Sequence, residues 1–174
     1  MESSGSSGST SPDPTLLGIL SDTHDRVDTA AAAIATLRAA GAQFLIHCGD
    51  VGGERILDLL AGMPCVFVWG NNDWDRAGLS QYAADIGLQC CNDFADLQIS
   101  GKRIAVTHGD NLKLIQRVTQ ETDYDYLFLG HTHIPSNEKT GRLRIVNPGA
   151  LHRAAKKTVA IVDLANDTVR HLIV

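Results

Sequence analysis

Aspartate, asparagine and histidine recur along this chain in short clusters whose side chains could bind divalent metal ions. Asp22-Thr23-His24, Gly49-Asp50, Gly70-Asn71-Asn72-Asp73, His108 and Gly130-His131-Thr132-His133 follow one another in that order. Carboxylate, imidazole and amide donors suit manganese, iron or zinc, whereas soft ions prefer thiolates. Asp22-x-His24 and His131-x-His133 would each set two donors on one side of an extended segment, because side chains alternate along such backbone. Asp50 is a carboxylate that could bridge two ions, and Gly49 and Gly52 leave room for close backbone approach. Two ions about 3.5–4 Å apart can clamp a phosphoryl group and generate hydroxide from a water between them.

Each cluster follows a short apolar run that reads as a strand. Residues 16–20 are too few for a helix and suit a buried strand, and Val27, Ala30, Ala31, Ile34 and Leu37 then follow helical spacing up to Gly41. A second strand is expected at 44–48, a helix near 55–60 and a third strand at 65–69. This alternation predicts a mainly parallel sheet with right-handed crossovers. Further on, 97–99 and 103–107 flank Ser100-Gly101-Lys102 as a hairpin, with a helix at 112–120 and strands at 126–129, 143–146, 159–164 and 169–174. A parallel half joined to a strand-rich half predicts an α/β protein with two packed sheets and helices outside. In such sheets, sites form beyond the carboxyl ends of the strands, where all five clusters fall.

Taken singly, most of these motifs have a plain structural explanation. Asp22 could cap the following helix, Gly49-Asp50 could be a turn, and Gly70-Asn71-Asn72-Asp73 a turn and helix cap. A lone His108 is ordinary, but two histidines after one buried strand, His131 and His133, need partners. Five such signals in order at strand ends point to one shared metal site. Around it, Asp73 is expected to orient a ligand histidine. His47, mid-strand beside Cys48, reads as a core or supporting residue, and His152 is a weaker candidate for approaching substrate. Arg26 and Arg76 could meet a phosphate but read first as surface charges. Trp69 is expected in the core, His171 in a structural role, and 123–126 in a solvated loop.

The whole chain has 174 residues, 44% hydrophobic and 20% charged, with a formal net charge of −5 that counts seven histidines as neutral. Residues 1–14 hold six Ser, two Gly and two Pro and predict a flexible leader; 15–174 are expected to form one domain. No apolar run approaches the roughly 18 residues of a membrane-spanning helix. The acidic balance, without a basic stripe, argues against a nucleic-acid partner. Cys48, Cys65, Cys90 and Cys91 form no CxxC pair, which reads as reduced thiols and a cytoplasmic location. Self-association is left open.

The ordered set Asp22-x-His24, Gly49-Asp50, Gly70-Asn71-x-Asp73, His108 and Gly130-His131-x-His133 resembles the calcineurin-like metallophosphoesterase superfamily, and within it the small capless bacterial and archaeal phosphodiesterases. Asn147-Pro148-Gly149-Ala150 is similar to their Asn-Pro-Gly-Ser segment. The resemblance spans 16–174 and implies a four-layer α/β/β/α sandwich with two mixed sheets and a dinuclear centre. It implies Asp22, His24 and His133 on one ion, Asn71, His108 and His131 on the other, and Asp50 bridging. The catalytic candidates it carries are Asp50, Asn72, Asp73 and His108. The implied activity is hydrolysis of small phosphodiesters by a hydroxide that two divalent ions activate. Manganese comes first among those ions, with nickel, iron, cobalt, magnesium or zinc as alternatives. The second implied reading is a non-catalytic metal-binding scaffold of the same fold. Two departures stand out. Asn72 occupies the position where many members carry a histidine that protonates the leaving group, and Asp110 occupies one where relatives often carry a second histidine.

Overall fold

The apolar runs of the first half form strands buried on both faces, as parallel strands flanked by other layers must be. The computed structural model describes residues 13–121 and 123–174, so the expected leader, apart from its last two residues, lies outside the described residues. In chain order the elements are β1 (Leu16–Leu20), α1 (Val27–Ala39), β2 (Phe44–His47), α2 (Glu54–Leu60), β3 (Cys65–Phe67), α3 (Arg76–Asp85) and β4 (Gln89–Cys90). They continue with β5 (Phe94–Ile99), β6 (Lys102–Thr107), α4 (Leu112–Gln120), β7 (Tyr126–Phe128), β8 (Ser136–Thr140), β9 (Leu143–Asn147), β10 (Thr158–Asp163) and β11 (Thr168–Ile173).

Both sheets are mixed. The first runs β11-β10-β1-β2-β3-β4, and the second β5-β6-β7-β9-β8. In the first, β1 to β4 are parallel, with Leu17 opposite Phe44, while β10 returns antiparallel and sets Val162 opposite Leu17. In the second, β6, β7 and β9 are parallel, and β5 and β8 are antiparallel edges. The division by chain halves therefore fails at the end of the chain: β10 and β11 cross back to complete the first sheet.

Side-chain alternation sorts the core into layers. On β10, Val159 and Ile161 face the helices α1 to α3 with Leu37, Leu45 and Phe67, whereas Ala160 and Val162 face the second sheet with Ile46, Val106 and Phe128. A third cluster, with Val118, Leu127 and Leu143, seats α4 on the outer face of the second sheet. The layers are thus α/β/β/α. Trp69 packs in the core against Phe67, ring centroids 4.8 Å apart. All four cysteines are free. Among the described residues no helix is long and apolar enough to cross a membrane.

Three elements have no counterpart among the sequence expectations: α3, β4 and β8. In α3 only Leu79 and Ala83 are buried, and its clearest signal is Asp75, whose carboxylate accepts from the Gly78 N–H at 3.2 Å. β4 has two residues, and β8 is an exposed polar edge, Ser-Asn-Glu-Lys-Thr, with nothing hydrophobic to announce it.

Candidate metal centre

The loops leaving β1, β2 and β3 of one sheet meet the loops leaving β6 and β7 of the other along a single edge. Backbone bonds tie the first two together: Asp22 N–H donates to the Gly49 carbonyl, His24 N–H to that of Asp50 and Asp25 N–H to that of Val51. The second sheet is joined across the seam, where His131 N–H donates to Asp22 Oδ2 at 3.2 Å and His108 Nδ1 to the Cys48 carbonyl at 2.8 Å.

Asp22, Asp50 and His108 are buried, His24 and His133 partly so, while Asn71 and His131 are exposed. His133 Nε2 lies 3.1 Å and His24 Nε2 3.9 Å from Asp22 Oδ1, whereas His24 Nε2 and His108 Nε2 stand 3.3 and 3.4 Å from Asp50 Oδ2. The donor atoms of Asp22, His24 and His133 fall within 4.8 Å of one another, as do those of Asp22, Asp50 and His108. Asn71 Oδ1 is 3.1 Å from His131 Nδ1. Five of the seven residues expected as ligands fall in these clusters, and the Asn71–His131 pair adjoins them through the His131 ring, 5.1 Å from that of His108. Asp50 lies between His24 and His108, one from each expected set, and Asp22 belongs to both clusters.

The chemistry of this arrangement fits divalent cations. Asp22 Oδ1, His24 Nε2 and His108 Nε2 are buried polar atoms with no hydrogen-bond partner. Since His108 Nδ1 donates to a carbonyl, its Nε2 presents a lone pair to the Asp50 carboxylate. Two acceptors facing each other in a buried site must share either a proton or a metal cation, and the further unpartnered donors around them suit the cation. Burial works against the charge on Asp50, but the adjoining His108 ring and the Asn72 donors outweigh it and hold the carboxyl below the usual range. Burial likewise pushes the His108 ring down, and the Asp50 carboxylate raises it above its ordinary value.

The paired donors do not arise from pleated backbone, as the sequence reading expected. Asp22, His24, Asp50, His131 and His133 all have left-handed backbone, with φ of 55, 44, 55, 66 and 60°. They lie beyond the strand ends, and side chains two residues apart face one way because each of these five residues turns through the left-handed region. Such residues cost of order 1 kcal/mol or more each and persist where surrounding structure enforces them. The enforcement is visible at Gly49, whose φ is +96° and where a Cβ would sit 2.7 Å from His108 Nδ1.

Neighbouring residues hold these loops. Asp73 does not orient a histidine: its buried carboxylate accepts from the N–H groups of Gly52 at 3.0 Å and Gly70 at 2.8 Å, because the Gly70–Asp73 turn folds it back on its own loop. Arg76 is not a free surface charge, since its guanidinium donates to the carbonyls of Gly70 and Asp73 and pairs with Asp93. Asn72 grips Asp50 twice at 2.8 Å, through its backbone N–H to Oδ1 and its Nδ2 to Oδ2. Asn147 Nδ2 donates to the Gly130 carbonyl at 2.7 Å and to Thr132 Oγ1 at 3.0 Å, a support for the His131 loop that spacing alone does not reveal. His171 bonds the Asn147 carbonyl, and Asp110 is exposed. His47 is buried between Thr23 and Gly49, its pKa lowered to about 3 by burial first and then by the neighbouring histidines.

The donors open onto a cavity of about 390 Å³ whose rim includes Trp74, 87% exposed, together with His152 and Arg153. The His152 ring lies 5.0 Å from that of His24. Desolvation lowers the pKa of His152, and the charges of His24, Arg26 and Arg153 lower it further.

A carboxylate–imidazole–amide cluster on the shared edge of an α/β/β/α sandwich defines a metal-dependent phosphoric ester hydrolase. The chain belongs to the calcineurin-like phosphoesterase superfamily, whose domain matches residues 16–167. It is similar to a phosphodiesterase of Methanocaldococcus jannaschii, 26% identical over 162 residues that cover 90% of this chain and 98% of the relative. A probable metallophosphoesterase of the same organism is 32% identical over 145 residues, covering 78% of this chain and 67% of the relative. A solved archaeal phosphodiesterase superposes with a TM-score of 0.84 at 25% identity, covering 91% of this chain and 99% of that one.

Proposed function

We propose that the protein hydrolyses small phosphodiesters, with Asp22, His24 and His133 holding one divalent ion, Asn71, His108 and His131 a second, and Asp50 shared between them. The observation that carries this reading is the buried Asp50 carboxylate flanked by Nε2 of His24 at 3.3 Å and of His108 at 3.4 Å, neither with a hydrogen-bond partner. The relatives named phosphodiesterase support the substrate class. Manganese is the proposed ion, in keeping with the oxygen- and nitrogen-rich donor set. Bound ions would supply Lewis acidity toward the phosphoryl oxygens and an acidified water.

The chain's own residues do the positioning. Asp50 is oriented by Asn72, whose amide is committed to that carboxylate. Asn72 carries no titrating proton, so it acts by holding Asp50, and substrates with good leaving groups are favoured. The exposed His131 and the partly exposed His24 and His133 leave the cavity open to solvent, which suits small diesters and broad acceptance.

The test is to strip the protein of metal, restore Mn²⁺ and measure hydrolysis of bis-p-nitrophenyl phosphate. Turnover that depends on added ion is expected. Absence of turnover with each of Mn²⁺, Ni²⁺, Co²⁺, Fe²⁺, Mg²⁺ and Zn²⁺ would refute the hydrolase reading in favour of a metal-binding scaffold.

A further inference from the structure

Positive charge on the wall beside the metal centre has no carboxylate paired with it among the described residues. His152 and Arg153 line both the metal cavity and a second one of about 660 Å³, whose charged lining is Asp25, Arg26, Asp28, Arg55, Arg153 and Lys157. The two sites are close. The His152 ring is 5.0 Å from that of the proposed ligand His24, and Arg26 Nε donates to His152 Nδ1 at 3.2 Å.

The cations here differ from several found elsewhere on the molecule. Arg76 pairs with Asp93, Arg103 with Asp96 and Asp123, Arg142 with Asp125, and Arg144 and Lys139 with Asp167. Among the described residues Arg26, Arg55, Arg153 and Lys157 form no ion pair with a carboxylate. Asp25 and Asp28 share their cavity, so four cations stand against two carboxylates on a chain whose formal net charge is −5. Arg153 has left-handed backbone, φ 50°, so its place on the dividing wall is held at a conformational cost.

We propose that the substrate carries a second phosphate, which sits among Arg26, Arg55, Arg153 and Lys157 while the scissile diester occupies the metal centre. The proposal rests on the phosphodiesterase reading above. A phosphate dianion matches the excess of two positive charges, and guanidinium groups present paired donors suited to phosphate oxygens. His152, held by Arg26, forms the partition between the two phosphates. The preferred class is thus a small phosphodiester with a phosphomonoester on the same molecule, of the kind a phosphorylated nucleotide diester represents.

A matched pair of probes tests this with the Mn²⁺-loaded full chain: thymidine 5′-(p-nitrophenyl phosphate) and its 3′-phosphorylated counterpart, which share one leaving group. The 3′-phosphate is expected to lower KM about tenfold or more, in the range of a charge-assisted contact. In the double variant Arg55→Gln, Lys157→Gln that ratio is expected to fall toward one. A folding defect would slow both probes together and leave the ratio in place. Calorimetry of the metal-free protein with thymidine 3′,5′-bisphosphate examines the same cavity without turnover, and the double variant is expected to bind about tenfold more weakly. Equal KM values for the two probes, a ratio untouched by the double substitution, or no bisphosphate binding would each overturn the proposal while turnover of bis-p-nitrophenyl phosphate left the phosphodiesterase reading standing. Loss of all turnover with bisphosphate binding retained would overturn the phosphodiesterase reading, and the scissile diester with it, while the phosphate site among the four cations stood. An oligothymidylate cleaved faster than the phosphorylated probe would replace the small substrate with a nucleic acid.

Discussion

Replacing His47 with leucine should alter how the stability of the protein responds to acid. Gly49 N–H donates to His47 Nδ1 at 3.2 Å, which leaves the proton on Nε2 for Thr23 Oγ1 at 2.9 Å, and the Thr23 hydroxyl donates to the Val51 carbonyl at 2.7 Å. This relay requires a neutral ring, and burial together with the charge on His108 and His24 lowers its pKa to about 3 despite the opposing Asp50 carboxylate. In the unfolded chain the same ring titrates at about 6.5. Between those values the unfolded chain binds a proton that the folded chain refuses, so the His47 contribution is complete above pH 6.5 and is lost as pH falls toward 3. The loss approaches ~1.4 kcal/mol per pH unit, or about 2–3 kcal/mol by pH 4.5. His47→Leu removes that slope but leaves the Gly49 N–H unsatisfied, at a cost of about 1–3 kcal/mol near neutrality. Urea unfolding of metal-free wild type and variant from pH 7.5 to 4.5 should therefore show a gap that favours the wild type at high pH and closes or reverses at low pH. A gap that stays constant across the series would refute the assignment of a neutral, stapling His47.

Asp50→Ala should lose both ions, because its carboxylate faces a ligand of each set; elemental analysis that still finds two ions per chain would refute the sharing. Asn72→Ala removes the 2.8 Å bond from Nδ2 to Asp50 Oδ2 and should weaken Mn²⁺ binding about 10–100-fold in a chelator competition. Unchanged affinity would mean that the amide does not orient Asp50. Gly49→Ala places a Cβ 2.7 Å from His108 Nδ1 on backbone with φ +96°, so a destabilisation of about 1–3 kcal/mol should appear as a lowered melting temperature. An unaltered melting temperature would show that the loop relaxes freely around that position.

Periodicity made β1, α1, α2 and α4 legible, because their apolar positions fill one face or both faces of an element. It said nothing of β8, whose five residues project no apolar group, and little of α3, which buries only two. Local pattern also carries no record of which sheet a strand joins. β10 reads as an apolar run whether it ends the second sheet or, as found, pairs with β1. The proposed ligand residues were legible because donor types accumulate at strand ends, but their geometry was not. Left-handed φ at Asp22 and His131 follows from bonds made across loops far apart in sequence, such as His131 N–H to Asp22 Oδ2, and no spacing rule encodes them. Asp73 looked like a partner for a histidine by its position, yet the nearest unsatisfied donors were backbone amides.

The edge where the two sheets meet has a mechanical consequence. Asp22, His24, Asp50 and Asn71 extend from the first sheet, and His108, His131 and His133 from the second. Between the sheets lie mostly aliphatic and aromatic side chains, whose cohesion depends on area and has little directional preference. Ions clasped at the edge would act as rivets that fix the lateral offset of one layer against the other. A ligand held only by the assembled layers stabilises them by mass action, about 4 kcal/mol at a thousandfold excess over its Kd. Metal supply would then bear on the stability of the folded molecule as well as on its turnover.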